Sequence, residues 1–267
     1  MNQATPPAAG DAPEITVVLP VFNEAANLAL LWPELTGILD TRWRRVEIIF
    51  VDDASTDGSA EWLRDLARRD ARVHYVRFAR HAGLSAALDA GYRRARSPIV
   101  VTMDSDLQND PADIPRVVDA LHDADAAAGW RVRRHDTWLK RVSSRVANAI
   151  RNWITRETVR DSACTLRAIR RECVTALPPY DGMHRFVPTL LRIGGYRVRE
   201  VPVTHRPRRF GESKFGVRNR AGRAFRDLLV VRWMQHRALR YSVEPDTRYH
   251  SPKEAGDGNR VQDPPHG

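Results

Sequence analysis

The chain has 267 residues, 42% of them hydrophobic and 28% charged, with a formal net charge of +10. This suits one large soluble α/β domain with a sizeable core. Its 2 cysteines, Cys164 and Cys173, exclude a disulfide framework and a four-ligand zinc site. No apolar run approaches the ~18–20 residues of a membrane span. The first residues also lack the apolar core of a signal peptide, so a cytoplasmic, reducing compartment is expected.

Charge is unevenly placed. Residues 1–125 hold 13 Lys+Arg and 20 Asp+Glu, a net of −7, whereas residues 126–267 hold 30 and 13, a net of +17. The acidic half suits a metal ion and the basic half suits phosphates or an anionic surface. Nearly all the cations are Arg, with Lys only at positions 140, 214 and 253. Bidentate phosphate recognition and GC-rich coding both account for that usage.

In chain order, residues 1–13 are Pro/Ala-rich and are expected to be disordered. Residues 15–21 read as a buried strand, followed by Phe22-Asn23-Glu24 and a helix over 27–39. A second strand over 46–51 ends in Asp52-Asp53-Ala54-Ser55-Thr56-Asp57-Gly58, a cluster suited to cap a helix over 59–69. A strand over 73–78, a helix over 84–95 rich in small residues, and a strand over 99–103 come next. Pro111 then introduces a helix over 114–122, and 124–130 reads as a fifth strand. This alternation predicts a doubly wound, mostly parallel sheet with ligands at the carboxyl ends of its strands. The first strand–helix turn has no Gly-x-Gly-x-x-Gly, which disfavours a dinucleotide site.

From Arg131 onward the character changes. Residues 138–154 read as an ordinary amphipathic surface helix, with Leu139, Val142, Val146, Ala149, Ile150 and Trp153 on one face. A loop and short strand cover 161–171, a helix 184–194 and a strand 196–203. Then comes His205-Arg206-Pro207-Arg208-Arg209-Phe210-Gly211-Glu212-Ser213-Lys214, whose density of cations points to phosphate binding. Residues 218–240 mix Phe225, Leu228, Leu229, Val231, Trp233 and Met234 with many Arg. They predict a helix lying on a membrane surface or packed on a partner, too charged to cross a bilayer. Residues 241–267 form a polar tail, expected to be disordered.

The chemistry concentrates at the end of the 99–103 strand. A buried strand cannot carry unpaired carboxylates, so Asp104 and Asp106 belong at its carboxyl end. In extended chain Asp104, Asp106 and Gln108 point the same way, and three hard oxygen donors suit Mg²⁺ or Mn²⁺ shared with a diphosphate.

Four motifs occur in order and with matching spacing: Pro20-Val21-Phe22-Asn23-Glu24, Asp52-Asp53-Ala54-Ser55-x-Asp57-Gly58, Asp104-Ser105-Asp106-Leu107-Gln108, and Phe210-Gly211-Glu212-Ser213-Lys214. Over about residues 14–235 the chain thereby resembles the family 2 glycosyltransferases of GT-A fold. More narrowly it resembles their polyprenyl-phosphate type, that of dolichol-phosphate mannose synthase and the bacterial undecaprenyl-phosphate sugar transferases. The resemblance implies a GT-A domain over 14–217 followed by an interfacial helix over 218–240. It also implies inverting transfer from a UDP- or GDP-sugar to a polyprenyl phosphate.

By position, the resemblance puts Pro20, Asn23, Glu24, Asp53 and Asp104 at the nucleotide, and Asp104, Asp106 and Gln108 on the metal. Arg131, Arg141, Ser144, Arg208 and Ser213 would meet the acceptor phosphate, with Asp106, Arg131 and Lys214 as the catalytic set and Arg167 as a further cation. Expected partners are the nucleotide sugar, the lipid phosphate and a membrane surface, on its cytoplasmic face. Access to the bilayer would come through residues 218–240 or through a separate anchoring subunit, since the membrane-spanning helices of many relatives are missing. Thr165 stands where the family usually has Gly, and Phe22 where it more often has Tyr.

Two other readings are open. With a hydroxyl acceptor the same fold would need a carboxylate base, Asp106 or Asp161. A nucleic-acid-binding protein would suit the basic charge, but it calls for a continuous basic face with stacking aromatics, whereas the conspicuous loops here are acidic strand ends.

Overall fold

The computed structural model describes residues 12–132, 149–210 and 218–239. Seven strands form one sheet: β1 (Ile15–Val21), β2 (Val46–Asp52), β3 (Val73–Arg77), β4 (Ile99–Thr102), β5 (Ala126–Arg131), β6 (Arg167–Arg170) and β7 (Val198–Val203). Their spatial order is β3-β2-β1-β4-β6-β5-β7. β1, β2, β3 and β4 run parallel, as do β5 and β7, while β6 runs antiparallel to β4 and β5. The sheet is mostly parallel, as expected. The reversed β6 was read only as a short strand, because hydrophobic pattern reports burial and carries no direction.

The helices are α1 (Ala25–Arg42), α2 (Ser59–Arg69), α3 (Leu84–Arg94), α4 (Ile114–Asp119), α6 (Val187–Ile193) and α7 (Arg218–Arg237). Between α4 and α6 lies α5, described over 149–155. Leu28, Leu31, Leu35 and Leu39 of α1, Leu63 of α2, and Ile114 and Val117 of α4 pack on one face of the sheet. Leu88 and Tyr92 of α3, Val187 and Leu190 of α6, and Leu228 and Val231 of α7 cover the other. A central parallel sheet coated on both sides accounts for the near-continuous burial of β1 and β2.

Small residues in α3 have a packing reason. A Cβ on Gly91 would stand 2.2 Å from Cγ1 of Val18 on β1. The helix therefore rides directly on the central strand.

Contacts divide the chain into a unit of residues 1–237 and a second of 238–267, of which 238 and 239 are described. Residues 1–11, most of the 138–154 segment, and the tail from residue 240 lie outside the described residues, as do Arg141, Ser144, Ser213 and Lys214.

One expectation for 138–154 is corrected by its described end. Ile150 is 45% and Trp153 81% exposed, whereas Arg151 is buried at 6%. The guanidinium of Arg151 donates from Nη2 to the Val159 carbonyl at 3.1 Å and to Asn152 Oδ1 at 3.0 Å. These local acceptors let the charged residue face inward and turn the indole out, the reverse of an ordinary surface helix.

Gly91→Ala should lower the stability of the fold by ~1–3 kcal/mol, because the branched Val18 cannot give way without moving β1. A denaturant midpoint unchanged from the parent protein would refute this account of the α3–β1 contact.

Candidate active site

Parallel pairing brings the carboxyl ends of β2, β1 and β4 side by side, with Val21 level with Asp52 and Val18 level with Thr102. The chain leaves β1 toward β2 and β3, then returns to β4 on the other side. The loops after β1 and β4 therefore diverge, leaving a crevice of the kind in which open α/β sheets bind ligands.

The β1–α1 and β2–α2 loops are laced together. Ser55 Oγ accepts from the Asn23 backbone N–H at 2.9 Å, and Asn23 Oδ1 accepts from that of Thr56 at 2.8 Å. Ser59 Oγ accepts from Glu24 N at 3.0 Å, and Asp57 accepts from Ala25 N and Ser59 N at 3.0 and 3.1 Å. One carboxylate thus serves the first turns of two helices. Partial burial works against the Asp57 charge, but the bonds from Ser59 and from the backbone of Ala25 outweigh it and hold its pKa below the usual value. Asn23 and Ala54 adopt left-handed conformations, with φ of 54° and 61°. Such backbone is costly for residues with a Cβ and persists only where the surroundings enforce it.

Asp53 is buried and fully engaged. It accepts from Ala82 N at 2.6 Å and Gly83 N at 2.8 Å, and lies 2.9 Å from Nδ1 of His81. The His81 ring packs on Phe22 at 4.4 Å. Pro20 presents its carbonyl to Ser105 Oγ at 2.5 Å, tying β1 to the β4 loop.

That β4 loop carries the carboxylate pair. Burial and the neighbouring Asp106 push the pKa of Asp104 up to about 7, against the pull of Thr165, Arg167 and Arg131. Burial raises Asp106 as well, opposed by the Gln108 backbone N–H and by Arg208. Leu107, between them and Gln108, is left-handed at φ 62°, and Gln108 N donates back to Asp106 Oδ1 at 3.1 Å. Arg208 closes over this loop, donating to Asp106 Oδ2 at 2.8 Å and to Gln108 Oε1 at 3.2 Å.

Among the expected site residues, the structure brings Asp104, Asp106, Gln108 and Arg208 together, with Asn23 and Glu24 on the adjacent loop. Arg131 is elsewhere engaged: its Nε and Nη2 grip Asp161 at 2.6 and 2.9 Å. That fork leaves Asp161 neutralised and poorly suited to act as a base. In the cation-rich loop, Arg206 is a strut, pairing with Glu34 and, at 2.7 Å, with Asp110. Of that loop's cations Arg206 therefore holds the fold, while Arg208 is directed at the β4 loop.

The contacts of several further contributors are set by the fold. Thr165, the departure from the family pattern, reaches Asn109 Oδ1 at 3.3 Å and hydrogen-bonds Asp104. Arg167 is buried on β6, donating to the Ser162 and His184 carbonyls at 3.2 and 3.0 Å. The bridge between Asn109 and His205 and the bond from Arg206 N to the Gln108 carbonyl at 2.9 Å align the 205–210 segment with the β4 loop. Pro111, read as introducing a helix, opens a turn that Asp110 caps by accepting from Ala112 N at 3.0 Å.

Residues 16–177 match the profile of the family described as Glycosyl transferase family 2. The chain belongs to that family. It is 37% identical over 205 residues to an undecaprenyl-phosphate 4-deoxy-4-formamido-L-arabinose transferase of Edwardsiella ictaluri, a match covering 76% of this chain and 63% of that protein. It is 34% identical over 238 residues to a dodecaprenyl-phosphate galacturonate synthase of Rhizobium johnstonii, covering 87% and 69%. The chain thus spans under two thirds of the first relative's length.

Among solved structures, glucosyl-3-phosphoglycerate synthase of Mycobacterium tuberculosis, in complex with Mn²⁺, UDP-glucose and phosphoglyceric acid, superposes with a TM-score of 0.63 at 20% identity, covering 86% of this chain and 82% of that one. The mannosyltransferase PcManGT of Pyrobaculum calidifontis, in complex with GDP-Man and Mn²⁺, gives 0.55 at 23% identity, covering 87% and 66%. The family and the sheet together establish a GT-A-like α/β fold, as the motifs implied.

The Asp104 shift has a stability consequence. Its carboxyl ionises near pH 7 when folded, against 3.8 for the unperturbed group. Metal-free folding is therefore penalised above pH 7, by on the order of a few kcal/mol, and the penalty vanishes below about pH 4. In EDTA at pH 8, Asp104→Asn should melt several degrees above the parent protein, with the gap closing toward pH 4. A gap of the same size at both pH values would show that burial of this charge is not its cause.

Proposed function

We propose that this chain is an inverting, metal-dependent glycosyltransferase that moves a sugar from a UDP- or GDP-linked donor to a polyprenyl phosphate. The observation carrying this reading is the Asp104–Asp106 pair with Gln108, half-buried at a strand end and capped by Arg208. Two carboxylates and an amide oxygen fit Mg²⁺ or Mn²⁺ sharing its remaining positions with diphosphate oxygens. Among the described residues no group of three or more His, Cys, Asp or Glu is placed to hold a metal ion. Asp104, Asp106 and Gln108 would hold the ion together with diphosphate oxygens, and when bound it supplies Lewis-acid stabilisation of the nucleoside-diphosphate leaving group.

The chain's own residues do the remaining work. Arg208, already beside Asp106, is placed to counter charge developing on the leaving diphosphate, joined from the same loop by Lys214. Asn23, Glu24, Asp53 and Pro20 line or brace the nucleotide crevice. Arg141, Ser144 and Ser213 receive the acceptor phosphate in this reading, whereas Arg131, held by Asp161, is not available for it.

The engagement of both candidate bases favours a phosphate acceptor over a hydroxyl. Asp106 is paired with Arg208, and Asp161 is held by the Arg131 fork. A phosphomonoester with a second pKa near ~6 is already ionised at neutral pH and needs no base. The polyprenyl phosphates in the names of both quoted relatives support the same acceptor class. A lipid acceptor puts the enzyme at a membrane surface, and the free, buried thiols of Cys164 and Cys173 suit its cytoplasmic side.

A donor screen tests the reading. The purified protein is incubated with Mn²⁺ or Mg²⁺, a short-chain polyprenyl phosphate and a panel of UDP- and GDP-sugars. Metal-dependent lipid-phosphate sugar should form with one donor class and fall ~100-fold or more in Asp106→Ala. Nucleotide release without lipid product would move the acceptor to a hydroxyl. Absence of both donor turnover and metal-dependent nucleotide binding would remove the enzyme.

A further inference from the structure

On two adjoining helices, apolar side chains point into solvent where a water-soluble protein would bury them. In α5, Ile150 and Trp153 face outward while Arg151 faces inward. In α7, Leu228 and Val231 are buried, yet Phe225, Leu229 and Trp233 are 50%, 49% and 60% exposed. Positions 225, 229 and 233 are spaced i, i+4, i+8 and so form one stripe along the helix. Exposed Arg226 and Arg237 flank it.

The two helices are joined. Ile154 and Met234 pack in the same apolar cluster, and Gln235 Nε2 donates to the Thr155 carbonyl at 3.0 Å.

We propose that the outward faces of α5 and α7 together form a docking surface for an anionic lipid bilayer, with Trp153 and Trp233 as its anchors. The occupant follows from charge. The α7 sequence carries Arg at 218, 220, 223, 226, 232 and 237. Its one acid, Asp227, is neutralised by Arg185 at 3.2 Å. Apolar residues beside the exposed Arg226 and Arg237, on a helix with six Arg and one acid in its sequence, suit anionic headgroups over acyl chains, and indoles favour that interface. No helix among the described residues is long and apolar enough to cross a membrane, so this contact lies in the plane of the surface. The surface is argued from exposure and charge; only the presence of a lipid substrate rests on the proposed acceptor.

Co-sedimentation of the full chain with phosphatidylcholine vesicles, with and without phosphatidylglycerol, tests the proposal. The parent protein should partition onto the anionic vesicles, and Trp153→Ser combined with Trp233→Ser should weaken partitioning by about tenfold or more. Trp→Phe at both positions should retain most of it. Thermal melting should be unchanged, because both indoles stand in solvent, as should transfer to a short-chain acceptor dispersed in detergent.

Equal partitioning of the parent and the double Ser variant would overturn the proposal, as would failure of the parent to bind either vesicle. So would a lipid-independent dimer abolished by the same substitutions, which would assign the face to a second copy of the chain. A parent protein that binds vesicles through these tryptophans but transfers no sugar to lipid phosphate would overturn the proposed acceptor and leave this surface standing.

Discussion

Two carboxylates held two residues apart at the end of a buried strand repel each other and resist leaving water. Much of the surrounding structure is arranged about that cost. Thr165 reaches Asp104 from the β6 side, Gln108 turns its backbone N–H to Asp106, and the charges of Arg131, Arg167 and Arg208 all favour ionisation of the pair. These contacts reduce the cost without removing it, since Asp104 still titrates near pH 7. The opposite edge of the sheet offers the contrast. Glu47 is more deeply buried, yet it is saturated by Thr16 at 2.6 Å, Arg96 Nε at 2.6 Å and Arg96 N at 2.9 Å. A carboxylate that only stabilises a fold is satisfied by the fold. The pair on β4 retains an unmet electrostatic demand, which a divalent cation bridging to a diphosphate would meet.

The arginines divide by the same criterion. Arg206 braces its loop against Glu34 and Asp110, Arg131 is committed to Asp161, and Arg167 gives its Nη2 to the Ser162 and His184 carbonyls. Arg208 differs because its partners are the proposed metal ligands themselves. The brace at Arg206 and the Asn109–His205 bridge set the direction in which Arg208 enters, so a long flexible side chain arrives at a defined place. Within a basic half-chain of net charge +17, Arg131 and Arg206 thus serve the fold and Arg208 is directed at the acidic loop.

The α5–α7 surface obeys a different balance. Leaving apolar side chains in water is unfavourable unless another phase covers them, and here the exposed indoles and stripe stand beside the exposed Arg226 and Arg237. The same helices contribute Ile154, Leu228 and Val231 to the core behind the sheet. A surface docked through them would be mechanically continuous with the scaffold that holds the catalytic edge.

How much of this the amino-acid sequence determined by itself depends on the range of the physics involved. Alternating buried strands and helices, the acidic strand ends, and the grouping of Asp104, Asp106 and Gln108 follow from local rules of burial and backbone period, and they were legible without coordinates. The family could also be read from four short motifs, since each is a contiguous loop. The direction of β6, the inward turn of Arg151, the commitment of Arg131 to Asp161 and of Arg206 to Glu34, and the contact of Thr165 with Asp104 were decided by tertiary structure alone. Each joins residues far apart in the chain or depends on which side of an element faces the core. A guanidinium in a sequence is a charge without an address; the fold decides whether it meets a carboxylate, a carbonyl or a substrate.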